Sequence, residues 1–227
     1  MELRAHYTQL WESTEARFKE NQYEFDALLD SPTDTRLGIT LLARPQGEAL
    51  ENILSFVQEM ASLEPEQYYY PASDVHITLL SIISCYPGFK VDQIELQQYI
   101  DLVKEALVSI KPFNVEFKGI TASPSCVMVQ GFPQGDDLQN LRDNLRTVFR
   151  NSGLQQSIDQ RYAISTAHST VIRFRKPLQR PQAFLQKLQT CREHDFGTAL
   201  IKQVELVSND WYQRKENTQL LATFPLT

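Results

Sequence analysis

Apolar residues in this chain recur at two spacings, one helical and one alternating, and the order in which the spacings change is itself repeated. From Leu3 to Leu29 the positions Leu3, Tyr7, Leu10, Trp11, Phe25, Leu28 and Leu29 fall at roughly helical intervals, which predicts a helix that Asp30-Ser31-Pro32-Thr33-Asp34 ends. Leu37 to Ala43 reads as a strand and Pro45-Gln46-Gly47 as a turn. Ala49 to Leu63 reads as a helix with Leu50, Ile53, Leu54, Val57 and Met60 on one side. After a loop from Pro65 to Ser73, Asp74 to Leu80 reads as a strand. The same succession returns later: a strand from Cys126 to Val129, an amphipathic helix over Leu138 to Phe149, and a strand over Ala167 to Ile172. Between the two units lie a helix near Gln93 to Ile110 and a strand near Phe113 to Ile120. After them come a helix near Pro181 to Cys191 and strands near Leu200 to Ser208 and Gln219 to Phe224, joined through Asn209-Asp210-Trp211-Tyr212.

A repeated strand, helix, strand unit predicts an α+β protein of two similar lobes, each built on an antiparallel sheet with helices outside, facing one cleft. No Pro/Gly/Ser-rich linker divides the chain, so the expected organisation is an N-terminal helical extension over 1–33 and a single bilobal domain over 34–227.

Each unit ends in the same tripeptide form. His76-Ile77-Thr78 and His168-Ser169-Thr170 lie ninety-two positions apart, and a strand's period of two puts each histidine and its threonine on one sheet face. A single such histidine is more simply a satisfied strand residue. Two of the four histidines at matching points of two similar units point instead to a shared pocket. Two imidazoles and two hydroxyls around one pocket suit the holding and cleaving of a phosphodiester.

Composition narrows the substrate. The 227 residues carry a formal charge of −6, which does not provide the basic face that long nucleic acid needs. A nucleotide, a cyclic phosphate or a short RNA end is the expected partner, and no long duplex. No apolar run approaches the roughly 18 residues of a membrane span, and the first residues, Met1-Glu2-Leu3-Arg4-Ala5-His6, do not resemble a secretory signal. With three widely spaced cysteines, Cys85, Cys126 and Cys191, the expectation is a cytoplasmic protein with reduced thiols. Cys191-Arg192-Glu193-His194 has the spacing of half a zinc site but lacks a second pair, and neither a phosphate-binding Gly-rich loop nor a Gly-x-Ser-x-Gly elbow occurs. No metal and no cofactor are expected.

On His76-Ile77-Thr78-Leu79 and His168-Ser169-Thr170-Val171, both of the form His, any residue, Thr or Ser, apolar, the chain resembles the two-histidine (2H) phosphoesterase superfamily. That superfamily includes the bacterial 2′-5′ RNA ligase-like proteins and cyclic nucleotide phosphodiesterases. The resemblance runs from about Leu37 to Leu226 and leaves out the N-terminal helix. It implies a bilobal pseudo-twofold fold, a metal-free cleft, His76 and His168 as general acid and base in an order left open, and Thr78 and Thr170 holding phosphate oxygens.

Other side chains are placed by position alone. Tyr70, in Tyr68-Tyr69-Tyr70, and Trp211 are candidate base-stacking contacts or core-closing aromatics. Asp74, two residues before His76 and on its face, either orients the imidazole or is a solvated strand entry. Arg173, five residues beyond His168, falls on the opposite strand face if the strand is regular. Arg36 and Arg44 flank the first strand and read chiefly as solvated charges. The function that follows is metal-independent hydrolysis of a 2′,3′-cyclic phosphate or a 2′-5′ phosphodiester in a nucleotide or RNA end. The alternative is a non-catalytic module that binds a nucleotide or RNA end.

Overall fold

The computed structural model describes residues 3–161 and 163–227. In chain order the elements are α1 (Leu3–Lys19), β1 (Arg36–Ala43), α2 (Glu48–Leu63), β2 (Tyr68–Tyr69), β3 (Ile77–Pro87), α3 (Leu96–Leu107), β4 (Phe113–Ser123), β5 (Cys126–Pro133), α4 (Asp137–Asn151), β6 (Ser169–Arg173), α5 (Pro181–Thr190), β7 (Asp195–Ile201), β8 (Gln203–Asp210) and β9 (Gln219–Pro225). The strands form two sheets, ordered β3-β1-β8-β9 and β2-β6-β5-β4-β7, with every pair antiparallel. Apart from β2, the two orders correspond strand for strand: β3 with β6, β1 with β5, β8 with β4, and β9 with β7. The repeated unit of the sequence is therefore β1-α2-β3 in one lobe and β5-α4-β6 in the other.

The helices cross between the lobes. On α2, Ala49, Ile53, Phe56, Val57 and Met60 form one buried face, and although α2 connects two strands of the first sheet, it packs on β7 of the second and on α5. Likewise α4 packs on α3 and touches β3 of the first sheet.

Two boundaries differ from the sequence expectation. The first helix stops at Lys19, ten residues before Leu29, because Asn21 adopts a left-handed backbone (φ 56°). The Asn21 and Gln22 amides close back on the Phe18 and Arg17 carbonyls, a Schellman stop that an asparagine tolerates. The single strand expected over Leu200 to Ser208 is the end of β7 and most of β8, which lie in different sheets with only Lys202 between them. The buried set runs Ala199, Ile201 and then Val204, Leu206, so the alternation changes phase at the crossing. Among the described residues, no helix is long and apolar enough to cross a membrane.

Candidate active site

His76 and His168 each sit one residue ahead of a motif strand, β3 and β6, and both line one cleft of about 150 Å³. Thr78 and Thr170 line it with them. In each strand one extra residue then interrupts the ladder. Leu41 and Leu42 of β1 pair with Leu80 and Thr78, leaving Leu79 without a partner; Val127 and Met128 of β5 pair with Ile172 and Thr170, leaving Val171 so. Such a bulge returns the fifth residue after each histidine to the histidine's own face. The burial patterns agree: Ile77, Leu79 and Leu80 are buried with Thr78 and Ser81 half-buried, as Ser169, Val171 and Ile172 are buried with Thr170 and Arg173 half-buried. Arg173 thus lines the cleft, a correction to its expected place on the far face, and Ser81 is its counterpart.

Carbonyls at and beside the bulges accept from other segments. Val171 O accepts the Tyr70 amide at 3.1 Å. Leu79 O and Thr78 O accept the Arg142 guanidinium at 2.9 and 3.2 Å, and the same guanidinium donates to Thr166 O at 2.6 Å. Arg142 is 2% exposed, lies on the buried stripe of α4, and has no carboxylate partner among the described residues. It joins the segment after His76 to the segment before His168. Burial draws its pKa down to about 10, with Arg146 adding to the fall, and it stays charged at neutral pH. Sequence reasoning passed over it, although an arginine on the same stripe as Leu138, Leu141 and Leu145 was a readable signal.

The two imidazoles are held differently. His76 Nδ1 lies 2.6 Å from the Asp74 carbonyl oxygen, which can only accept, so Nδ1 carries the proton and neutral His76 turns a bare Nε2 to the cleft. His168 Nδ1 lies 2.8 Å from Thr166 Oγ1, a partner that can donate or accept, so either tautomer is available to it. It is the backbone of Asp74 that orients His76. The carboxylate accepts from Ser73 Oγ and the Lys215 amide instead, which fixes the loop that follows β8. Burial lowers both histidine pKa values from 6.5 to about 4, with Arg44 and Arg173 acting on His76, and His76, Arg142 and Arg173 on His168.

Arg173 is itself held in place. Its Nε donates to Tyr70 Oη at 2.9 Å, and its guanidinium lies 5.3 Å from the centre of the Tyr212 ring. Tyr70 is only 1% exposed, with its ring perpendicular to that of Tyr68 and its hydroxyl on Arg173. Trp211 lines the cleft with Arg36 and Arg161 at 5.2 and 5.0 Å from its ring centre. Arg36 also pairs with Asp34, whereas Arg44 pairs with Glu205 and donates to Ser73 O on the flank. The Trp211-Tyr212-Gln213 turn hangs on buried Asp210, whose carboxylate accepts from the Tyr212 and Arg214 amides, Arg214 Nε and Asn217 Nδ2. Thr40, Asn209 and Gln213 complete the lining and were not anticipated from sequence. Asn209 Oδ1 and Gln213 Oε1 are buried there without a hydrogen-bond partner among the described residues. Also among those residues, no group of three His, Cys, Asp or Glu side chains stands ready to hold a metal.

The assembled groups are two nitrogen bases, two hydroxyl donors and one fixed cation around a cleft, a set able to grip an anionic ester and move protons on and off it. Solved structures share the architecture. Escherichia coli LigT complexed with 3′-AMP superposes with a TM-score of 0.56 at 15% identity, covering 85% of this chain and 99% of that one. A phosphoesterase gives 0.55 at 16%, covering 85% and 99%, and TT0787 of Thermus thermophilus gives 0.53 at 17%, covering 84% and 97%. At such identities these likenesses establish the fold. No curated protein sequence is a significant match. The family model described as the 2′-5′ RNA ligase superfamily matches residues 49–210, a segment that contains both His-x-Thr motifs and the turn leading to Trp211. With that match spanning most of its length, and with the fold and the paired motifs in place, the chain belongs to the 2′-5′ RNA ligase superfamily.

Proposed function

We propose that this protein is a metal-independent phosphodiesterase that hydrolyses a 2′,3′-cyclic phosphate or a 2′-5′ phosphodiester in a nucleotide or at an RNA end. The observation that carries this reading is the matched pair of His-x-Thr strands facing one cleft, with Arg173 brought to the same face by a bulge. Thr78, Thr170 and Arg173 donate to the non-bridging phosphate oxygens, and the fixed guanidinium supplies the charge that two neutral hydroxyls lack as negative charge builds in the transition state. One imidazole takes a proton from the attacking water and the other gives one to the departing ribose oxygen. The bare Nε2 of His76 suits the first task. His168, free to present either tautomer, suits the second.

The seat for the nucleoside lies beside Trp211, whose side chain lines the cleft. That LigT, which shares the fold, is seen with 3′-AMP, ATP and NADP+ supports a nucleotide as the ligand class.

One feature favours a second reading, a nucleotide-binding module without turnover: burial of both imidazoles disfavours the protonated acid that one of them must supply. A bound phosphate anion raises both pKa values and restores the acid under the first reading. Turnover of 2′,3′-cyclic nucleotides and a 2′-5′-linked oligoadenylate in EDTA decides between them. Hydrolysis lost in both His76→Ala and His168→Ala supports the enzyme; nucleotide binding with no turnover in the unmutated protein supports the module.

A further inference from the structure

The two histidines are released from their sheets by different means. Extending the register of each sheet past its last motif pair sets Pro45 opposite Val75 in the first lobe and Gly131 opposite Ala167 in the second. In the first lobe the chain opens the ladder itself: Pro45 has no amide to give, and the Val75 amide turns to Pro71 O at 3.2 Å. In the second lobe Gly131 has an amide, and its backbone lies so close to Ala167 that a Cβ on it would fall 2.0 Å from Ala167 O.

What stands between these strands is a side chain from α1. The Ala167 amide donates to Tyr7 Oη at 3.2 Å, and the Tyr7 hydroxyl donates to Gly131 O at 3.3 Å. The hydroxyl thus occupies the place of the ladder hydrogen bond one residue before His168. Tyr7 is 1% exposed and sits edge-on to Phe132 at 5.5 Å. Its own carbonyl accepts Thr121 Oγ1 at 3.0 Å, and two turns further on Thr14 Oγ1 donates to Ala122 O at 2.9 Å, so α1 is fixed along β4 at both points. Burial pushes the phenol up to about 12, which keeps its proton on at any working pH. This helix lies outside the matched family segment.

We propose that Tyr7 is a positioning residue for His168: its hydroxyl bridges β5 to the residue before His168 in place of a direct ladder hydrogen bond, so that the N-terminal helix sets the reach of the second catalytic imidazole into the cleft. The proposal rests on the reading of His168 as one of the reacting pair. Removing the hydroxyl lets Ala167 N–H close directly on Gly131 O and draws His168 back toward the sheet.

The test compares Tyr7→Phe with Trp11→Phe in the full chain. Trp11 is a buried neighbour on the same helix, under the Arg192 guanidinium, with no hydrogen bond to the motif. Tyr7→Phe is expected to lower kcat on a 2′,3′-cyclic nucleotide by about tenfold with KM unchanged, the order expected for a sub-ångström misplacement of a reacting group. It is also expected to move the His168 imidazole NMR resonances while leaving those of His76 in place. Trp11→Phe should lower Tm and do neither. Wild-type kcat with unmoved His168 resonances in Tyr7→Phe, or an equal kcat loss in Trp11→Phe, overturns the proposal. Absence of turnover in the unmutated protein would instead count against the phosphodiesterase reading, and the His168 resonances alone would then decide whether Tyr7 sets that side chain.

Discussion

Ser81 and Arg173 are the same position of two related strands, each the fifth residue after its histidine and each turned into the cleft by a bulge at the third. One lobe therefore offers a hydroxyl where the other offers a guanidinium, and the cleft is chemically lopsided on a symmetric frame. Arg173→Gln is expected to reduce kcat by about 10²–10³, the usual loss when one fixed donor to a developing oxyanion is removed. Arg173→Lys should recover only part of this, because Tyr70 and Tyr212 are arranged for a planar group. Steady-state kinetics on one cyclic nucleotide would show it, and a loss below threefold for Arg173→Gln would remove the residue from the mechanism.

Acid should loosen the fold through the same histidines. Their folded pKa values lie below 6.5, so the unfolded chain binds more protons between pH 6.5 and about 4; stability is fully present above pH 6.5 and drains away as the pH falls through that window. Within that window the slope approaches roughly 1.4 kcal/mol per pH unit for each imidazole. Urea midpoints from pH 7 to 4 would reveal the slope, and His76→Ala with His168→Ala should flatten it. Phosphate binding at pH 6 should take up protons, seen as a buffer-dependent heat in calorimetry; a buffer-independent heat would show that the imidazoles do not respond to the anion.

Arg142 makes a separate demand. Arg142→Met fills much the same space but leaves the Thr78, Leu79 and Thr166 carbonyls without their donor. The expected loss is about 3 kcal/mol, from buried acceptors left unmade. Activity should fall beyond what the lost stability explains, since both motif segments lose a shared anchor. Chemical denaturation read beside kcat would separate the two effects, and a variant as stable as wild type would show that the carbonyls find other donors.

Trp211→Ala should raise KM for a nucleotide about tenfold, in line with 1–3 kcal/mol of stacking per base, and leave hydrolysis of a base-free cyclic phosphate ester unaltered. Equal effects on both substrates would place Trp211 in the frame of the cleft and not in base recognition.

Much of this architecture was legible in the sequence because it rests on periodicity. The β1-α2-β3 and β5-α4-β6 units, the two histidines and their threonines follow from spacings of two and 3.6. What escaped was whatever breaks a period. Arg173 was assigned to the wrong face because a bulge adds one residue that no local composition announces. The passage from β7 to β8 at Lys202 leaves no glycine or proline as a marker, only a change of phase. Arg142 and Tyr7 act through backbone groups far away in the chain, and a partner of that kind has no signature of its own.

The exchange of α2 and α4 between the sheets has a consequence for how the molecule binds. The helix α2, strung between two strands of one lobe, lies on β7 of the other, α4 touches β3 across the lobes, and Lys202 alone links β7 to β8. Spreading the lobes would pull α2 off β7, which favours a cleft that opens little. On the phosphodiesterase reading, a ligand should then find the cleft already shaped, with adjustment left to rotamers and the Trp211–Gln213 turn.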